Sequence, residues 1–443
     1  MTRQVIQKMI KYLRISPFKI VIIILLFSSC QENKKPDETS DFCSKIHTNK
    51  SSSLSKELDD VAELMESKTG VYVLEDGSGS MVARAWLSEL AEKTIDIQYF
   101  IFSTDNVGLI ACDYLIRAAD RGVKIRIIVD DIMVDADVEE LLTFSSHENI
   151  SIKIYNPGVN LGKNIFGKIQ KFVTDFRNSN QRMHNKTFIV DGKVVITGGR
   201  NIADEYFDYD HEYNFRDRDV LLLGKESENV NKSFKDYWED DLSVEVSTLL
   251  KEQIKIEYSE NAFNKLHEYA CNPDNFWPQV RARIENLPNT FKAIKESGEL
   301  VWLDDVTFIS DVPGKNDGKN GLNGGGLSTN ALIELVMNAE TSIEIQTPYL
   351  VTSRLSRTLF KDAVDRGVSI RILTNSLAST DNIEAFSGYQ SDREELLKTG
   401  VRIFEFRPDA AERKKIMTGE LQETLNHQPI FGLHAKTMVV DNK

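Results

Sequence analysis

Apolar residues along the chain follow two alternating rhythms. AEKTIDIQ (Ala91–Gln98) and KIRI (Lys124–Ile127) read as short strands, whereas LIACDYLIRAA (Leu109–Ala119) keeps its apolar side chains, Cys112 among them, on one helical face. A DRGV tetrad (Asp120–Val123) turns that helix into the second strand. Further on, the apolar runs FIV and VVIT flank Asp191-Gly192 and predict a hairpin.

The whole series then recurs. AETSIEIQ (Ala339–Gln346) repeats AEKTIDIQ at an offset of 248, and AVDRGVSIRI (Ala363–Ile372) repeats AADRGVKIRI (Ala118–Ile127) at 245. LHAKTMVVDNK (Leu433–Lys443) repeats MHNKTFIVDGK (Met183–Lys193) at 250. A tandem duplication of strand, helix, turn, strand and hairpin predicts two α/β halves with largely parallel pairing. The expected plan is a leader over 1–30, a polar tether over 31–55, a first half over 56–245, a helical connector over 246–300 broken at Pro273 and Pro278, and a second half over 301–443. In the first half Gly198 and Asn201 follow Asp191 by seven and ten residues, whereas only Asn442 and Lys443 follow Asp441. The second half therefore reads as incomplete, with about fifty residues of a longer reading frame expected beyond it.

Composition narrows the class. The 443 residues are 41% hydrophobic, enough for real cores, and the net charge of −14 argues against a general nucleic-acid binder. Arg3, Lys8, Lys11, Arg14 and Lys19 form a basic leader before the apolar run Ile20–Phe27, which is too short to span a bilayer. Ser28 and Ser29 then precede Cys30 and a polar tail, which resembles a bacterial lipoprotein signal with Cys30 as the lipidated residue. An uncleaved anchor is the alternative, and both put the protein at a membrane of the cell envelope. A disulfide between Cys43 and Cys271 fits an exported protein. Ile165, Phe166, Ile169, Phe172, Val173 and Phe176 recur at helical spacing with Lys163, Lys168 and Lys171 between them. Two readings stay open for that stretch, a helix packed on the domain and an interfacial helix facing anionic lipid. The glycine-rich Gly314–Gly326 lacks phosphate-loop spacing and reads as a loop.

The chemistry sits in the repeated hairpin. His184 and Lys186, two apart on a strand, share a face, as do His434 and Lys436. An imidazole beside an ammonium suits an anion: the histidine attacks phosphorus or moves a proton while the lysine neutralises charge. Gly198 and Gly199 would let backbone amides approach a phosphate, with Asn201 donating from its side chain. In a single copy the same residues fit a surface hairpin with incidental charges, and the second copy makes that reading poor.

Two copies of H-x-K-x-x-x-x-D, the first followed by G-G-x-N, resemble the phospholipase D superfamily over most of residues 70 to 443. TDFRNSNQRMHNK, GGRNIADEYF, FRDRDV (Phe215–Val220), the D-x-P-x-K of Asp311, Pro313 and Lys315, and GLHAKT are similar to the bacterial cardiolipin synthases of the C type. The resemblance implies two pseudosymmetric αβα halves with the active site at their interface and a covalent phosphohistidine formed without metal or other cofactor. It makes His184 the preferred nucleophile and His434 the acid, although the reverse order uses the same atoms. Lys186 and Lys436 would hold phosphate oxygens; Asp191 and Asp441, the last members of the motifs, are counted with the catalytic set and would orient it. Asp217 or Asp219 would hydrogen-bond the far nitrogen of a catalytic histidine. His47, His147, His211, His267 and His427 read as structural or exposed.

The implied activity is phosphatidyl transfer on anionic phospholipid, with phosphatidylglycerol the expected substrate and no nucleic acid as partner. A phospholipase D-type hydrolase or nuclease, and an inactive membrane-bound binding protein, are the alternatives.

Overall fold

The computed structural model describes residues 42, 44, 52–131, 138–157, 182–210, 212–249, 260–315, 326–409 and 429–442. The leader with Cys30, Cys43, the Ile165–Phe176 pattern, the centre of the glycine-rich loop, His47, His211 and His427 lie outside them.

The first half is a nine-stranded sheet with helices on both faces. Its strands are β1 (Thr69–Leu74), β2 (Thr94–Tyr99), β3 (Lys124–Asp130), β4 (Ile150–Tyr155), β5 (Thr187–Val190), β6 (Val194–Gly198), β8 (Asp219–Gly224), β9 (Ser243–Glu245) and β10 (Val301–Leu303). They lie in the order β10-β1-β8-β6-β5-β2-β3-β4-β9. Only β2-β3 and β3-β4 run parallel, so the expectation of largely parallel pairing is corrected. The reason is local: Asp191 (φ 52°) and Gly192 (φ 65°) turn β5 straight back into β6, and short hairpins force antiparallel neighbours.

Alternation along β2 explains both layers. Ile95, Ile97 and Tyr99 face one core, shared with helix Gly77–Leu90 and helix Asn106–Asp120. Each of these helices starts on an aspartate, Asp76 accepting from Gly79 N (2.6 Å) and Asp105 from Gly108 N (3.0 Å). Trp86 and Phe291 stack at 5.6 Å, which seals that core under the connector helices; burial of each ring contributes about 1.5–3 kcal/mol. Helix Ser227–Glu239 covers the opposite face through Val230, Phe234 and Tyr237.

Two expected boundaries move. Leu54 is fully buried and Phe42 packs edge-on to Phe276 at 5.3 Å, so residues of the expected tether belong to the packed first half. Val301–Leu303, assigned by sequence to the second half, pairs with β1 of the first. Cys271 is disulfide-bonded, as the expected pairing requires, with its partner outside the described residues; Cys112 is half-buried.

The second half repeats the plan. β11 (Ser342–Gln346), β12 (Ser369–Asn375) and β13 (Arg402–Phe406) are parallel, and β15 (Thr437–Val440) lies antiparallel to β11 just as β5 lies against β2. Ile95↔Val190 and Ile343↔Val440 are equivalent pairs. A short parallel ladder crosses between the halves: β7 (Tyr213–Arg216) pairs with β14 (Ile430–Leu433).

Candidate active site

The segments that lead into the two histidines are held the same way. Asp130, the last residue of β3, accepts from Met183 N at 2.9 Å; Asn375, the last residue of β12, accepts from Leu433 N at 2.8 Å. Both partners immediately precede a histidine. The repeated sequence could have revealed these two positions, since Asp130 and Asn375 occupy one place in the aligned IIVD and ILTN ends. Beyond each histidine, the lysine folds back on it: Lys186 Nζ donates to His184 O (3.0 Å) and Lys436 Nζ to His434 O (2.9 Å).

The inter-half ladder carries the second histidine. His434 N and Ala435 N both donate to Arg216 O, at 2.8 and 3.1 Å. One residue later, Asp217 reaches the imidazole, Oδ2 to Nδ1 at 2.6 Å, with both side chains buried. That contact favours the Nδ1–H tautomer and turns Nε2 away from the carboxylate, with Lys436 Nζ 3.2 Å from that nitrogen. Asp219 goes elsewhere: Ser80 Oγ (2.6 Å), Arg84 Nη2 (3.0 Å) and Arg200 N (3.2 Å) all donate to it. Of the two expected candidates, Asp217 is the orienting residue and Asp219 a buried anchor of the fold.

Two other expectations are corrected. Asp191 and Asp441 lie at the far ends of their strands, about 20 Å from their histidines for seven extended residues. Asp191 accepts the backbone amides of Glu92, Lys93 and Thr94, and Asp441 those of Glu340, Thr341 and Ser342. They tie the hairpin to the start of the neighbouring strand and do not reach the reacting groups. Gly198 and Gly199 are small for a different reason than phosphate access. A Cβ on Gly198 would sit 2.3 Å from Asp219 Oδ1, and one on Gly199 2.1 Å from Asp217 Oδ1. Both glycines make room for carboxylates.

Aromatic rings, which the motif pattern does not announce, wall the site. Phe100 lies 4.3 Å from the His184 ring; Phe215, Tyr206 and Tyr349 lie 4.7, 5.2 and 6.4 Å from that of His434. Asn201 is buried, accepts from Ile101 N at 3.1 Å and hydrogen-bonds Tyr206, whose ring stands edge-on to His434. Arg218 reaches across to Gln346 Oε1 and Thr437 Oγ1, each at 3.4 Å, and closes one side of the interface.

The electrostatics are those of a site waiting for an anion. Burial, then Lys436, lowers the pKa of Lys186 to about 7. Burial lowers His434 despite Asp217, which pulls the other way. The His184 pKa falls because its ring is packed against neighbours and faces Lys186, Lys436 and His434. One edge of His184 is open to solvent, as is the Lys436 side chain, and water there hydrates the cation and limits both drops. Phosphate oxygens entering this pocket would restore the charged lysines. Among the described residues no group of three His, Cys, Asp or Glu could hold a metal ion. His147 and His267 pair with Asp120 and Asp113, each at 3.1 Å, away from the site.

Residues 88–238 and 332–443 match the family model described as cardiolipin synthase, phospholipase D-like domain. Cardiolipin synthase C of Escherichia coli (strain K12) is 32% identical over 379 residues, 84% of this chain and 76% of that protein. A protein of Helicobacter pylori (strain J99), described as uncharacterized, is 30% identical over 377 residues, 84% of this chain and 71% of its own. The crystal structure of phosphatidylserine synthase from Haemophilus influenzae Rd KW20 superposes with a TM-score of 0.51 at 13% identity, over 87% of this chain and 80% of that one, and shows the shared fold.

Proposed function

The chain belongs to the family of cardiolipin synthase phospholipase D-like domains, and from that premise we propose that it is a membrane-attached phosphatidyltransferase acting through a phosphohistidine. The observation that carries the reading is convergence. His184 and Lys186 from one repeat and His434 and Lys436 from the other lie near enough for their charges to act on one another, with Phe100 against the first histidine and Phe215 against the second.

In the first step a neutral His184 nitrogen attacks the lipid phosphorus and the bond to the leaving alcohol oxygen breaks. His434, protonated at Nε2 and held through Nδ1 by Asp217, gives that oxygen its proton. In the second step neutral His434 takes the proton of an incoming lipid hydroxyl, whose oxygen attacks phosphorus and breaks the phosphorus–nitrogen bond. Lys186 and Lys436 stabilise the charge on the equatorial oxygens in both steps. Water in place of the lipid hydroxyl would make the same site a hydrolase.

Attachment to an envelope membrane rests on the leader and Cys30. Among the described residues no helix is long and apolar enough to cross a membrane. The net charge of −14 works against a polyanionic nucleic acid as substrate.

Incubating purified protein with vesicles of phosphatidylglycerol, with and without phosphatidylethanolamine, and separately with single-stranded DNA, tests the assignment by mass spectrometry and gel. Cardiolipin supports it. Phosphatidic acid alone, cut strands, or no product overturn it in favour of a lipid hydrolase, a nuclease or a binding protein. His184→Asn and His434→Asn should each abolish turnover.

A further inference from the structure

The D-x-P-x-K motif, which the reaction above does not use, ends beside the site. Residues 304–315 form no helix or strand, yet they are pinned along their length. Val306 and Phe308 pack on the core under helix Ser227–Glu239, and Phe308 N donates to Glu226. Asn185, the neighbour of His184, donates through Nδ2 to Ser310 Oγ at 2.8 Å. Tyr237 Oη donates to Asp311 O at 3.0 Å, and Gly314 N to Tyr155 Oη at 2.8 Å. Gly314 has φ 71°, a conformation that a side chain would strain.

This bracing presents one cation. Lys315 Nζ donates to the buried Asp311 carboxylate at 2.7 Å. Asp311 is also satisfied by Ser328 N (3.0 Å) and Ser328 Oγ (2.8 Å), so it does not need the lysine for its hydrogen bonds. Among the described residues the Asp311 carboxylate is the only hydrogen-bond partner of this side chain, and an ammonium has three N–H groups to donate. Its field is among those acting on His184, and its side chain is about one-third exposed. Ile309 and Val312, 45% and 61% exposed, precede it on the same braced stretch, and Lys315 N donates to Val312 O at 3.4 Å.

We propose that Lys315 binds the second phosphate of the reaction, the phosphodiester that an acceptor lipid brings to the site and that no histidine attacks. Two His/Lys pairs already surround the reacting phosphate, so a further cation held at the rim on the His184 side has no work there. An ammonium on a fixed stem is a point-charge phosphate binder, and exposed apolar side chains on the same stretch suit a phosphate that is joined to acyl chains. Lys315 thereby favours acceptors that carry both a hydroxyl and a phosphodiester, and this rests on the transfer reading above.

The test compares three acceptors with the full-length protein and one labelled phosphatidyl donor: phosphatidylglycerol, glycerol 3-phosphate and glycerol. In Lys315→Gln the ratio of kcat/KM for phosphatidylglycerol to that for glycerol should fall about tenfold, mostly through KM, and in Lys315→Arg it should stay within about twofold of the original. An equal fall with glycerol 3-phosphate would show that the phosphate alone is recognised; a fall with the lipid only would bring in the apolar neighbours. Both support the assignment. An unchanged ratio in Lys315→Gln, or equal loss with all three acceptors, overturns it. Hydrolysis without transfer by the unaltered protein overturns the parent reading instead, a pattern no Lys315 variant can mimic.

Discussion

Asp217 and His434 come from opposite halves of the chain and meet at 2.6 Å, carboxylate Oδ2 to imidazole Nδ1. Asp217→Asn should keep the shape and lose the charge, lowering kcat about 10- to 100-fold. Because Asp217 is a group that raises the His434 pKa, its neutralisation should move the limb of the pH–rate profile that reports His434 to lower pH. An unshifted profile in this variant would separate Asp217 from the titrating histidine.

Gly199→Ala tests the same contact without touching an ionisable group. The new methyl would lie 2.1 Å from Asp217 Oδ1, so the carboxylate must move off His434. The expected outcome is a loss of activity close to that of Asp217→Asn, with a stability cost of about 1–3 kcal/mol from overpacking. Full activity would mean that the carboxylate can shift without releasing the imidazole.

Lys186 couples stability to function. Its folded pKa, about 7, lies below the unfolded value near 10.4, so the unfolded chain binds more protons between those limits. Its contribution to stability is therefore unfavourable below about pH 7 and is relieved as pH rises from there towards about 10. Lys186→Met should abolish turnover and stabilise the fold at pH 6 by about 0.5–2 kcal/mol, measured by urea unfolding. Inorganic phosphate should bind the unaltered protein with proton uptake at pH 7.5, seen as buffer-dependent heats in calorimetry, and bind more weakly as pH rises through the lysine's pKa.

Asp441→Ala and Asp191→Ala should separate stability from chemistry. Three backbone amides hold the Asp441 carboxyl well below the usual carboxylate range. Its stabilising effect is present above about pH 4 and fades as pH falls through the depressed folded value. Both variants should unfold at lower temperature yet retain kcat when assayed well below that transition. A large kcat loss in folded protein would return these aspartates to the site.

The His/Lys pairs and the two-half plan were legible because duplication repeats spacing, and spacing is what a sequence displays. What it does not display is which end of a strand faces the cleft. Asp191 and His184 belong to one motif, but seven extended residues part a reacting group from a turn residue. The glycine pair looked like a phosphate cradle, since smallness says nothing of which neighbour demands it; only the fold shows Asp217 and Asp219 in that space. The choice between those two aspartates depended on β7 meeting β14, strands more than two hundred residues apart with no local signal for each other. The parallel core strands were legible from the strand–helix–strand rhythm, but the antiparallel flank comes from hairpins whose pairing order no local pattern states.

The ladder between β7 and β14 has one more consequence. His434 takes its position from the carbonyl of Arg216 and its tautomer from Asp217, so the second repeat's histidine is seated by the first repeat's backbone. On the proposed mechanism neither repeat alone assembles a reactive centre, although each carries a full His/Lys pair. By that mechanism the first half holds a nucleophile and no proton donor, so the chemistry waits until β7 and β14 pair.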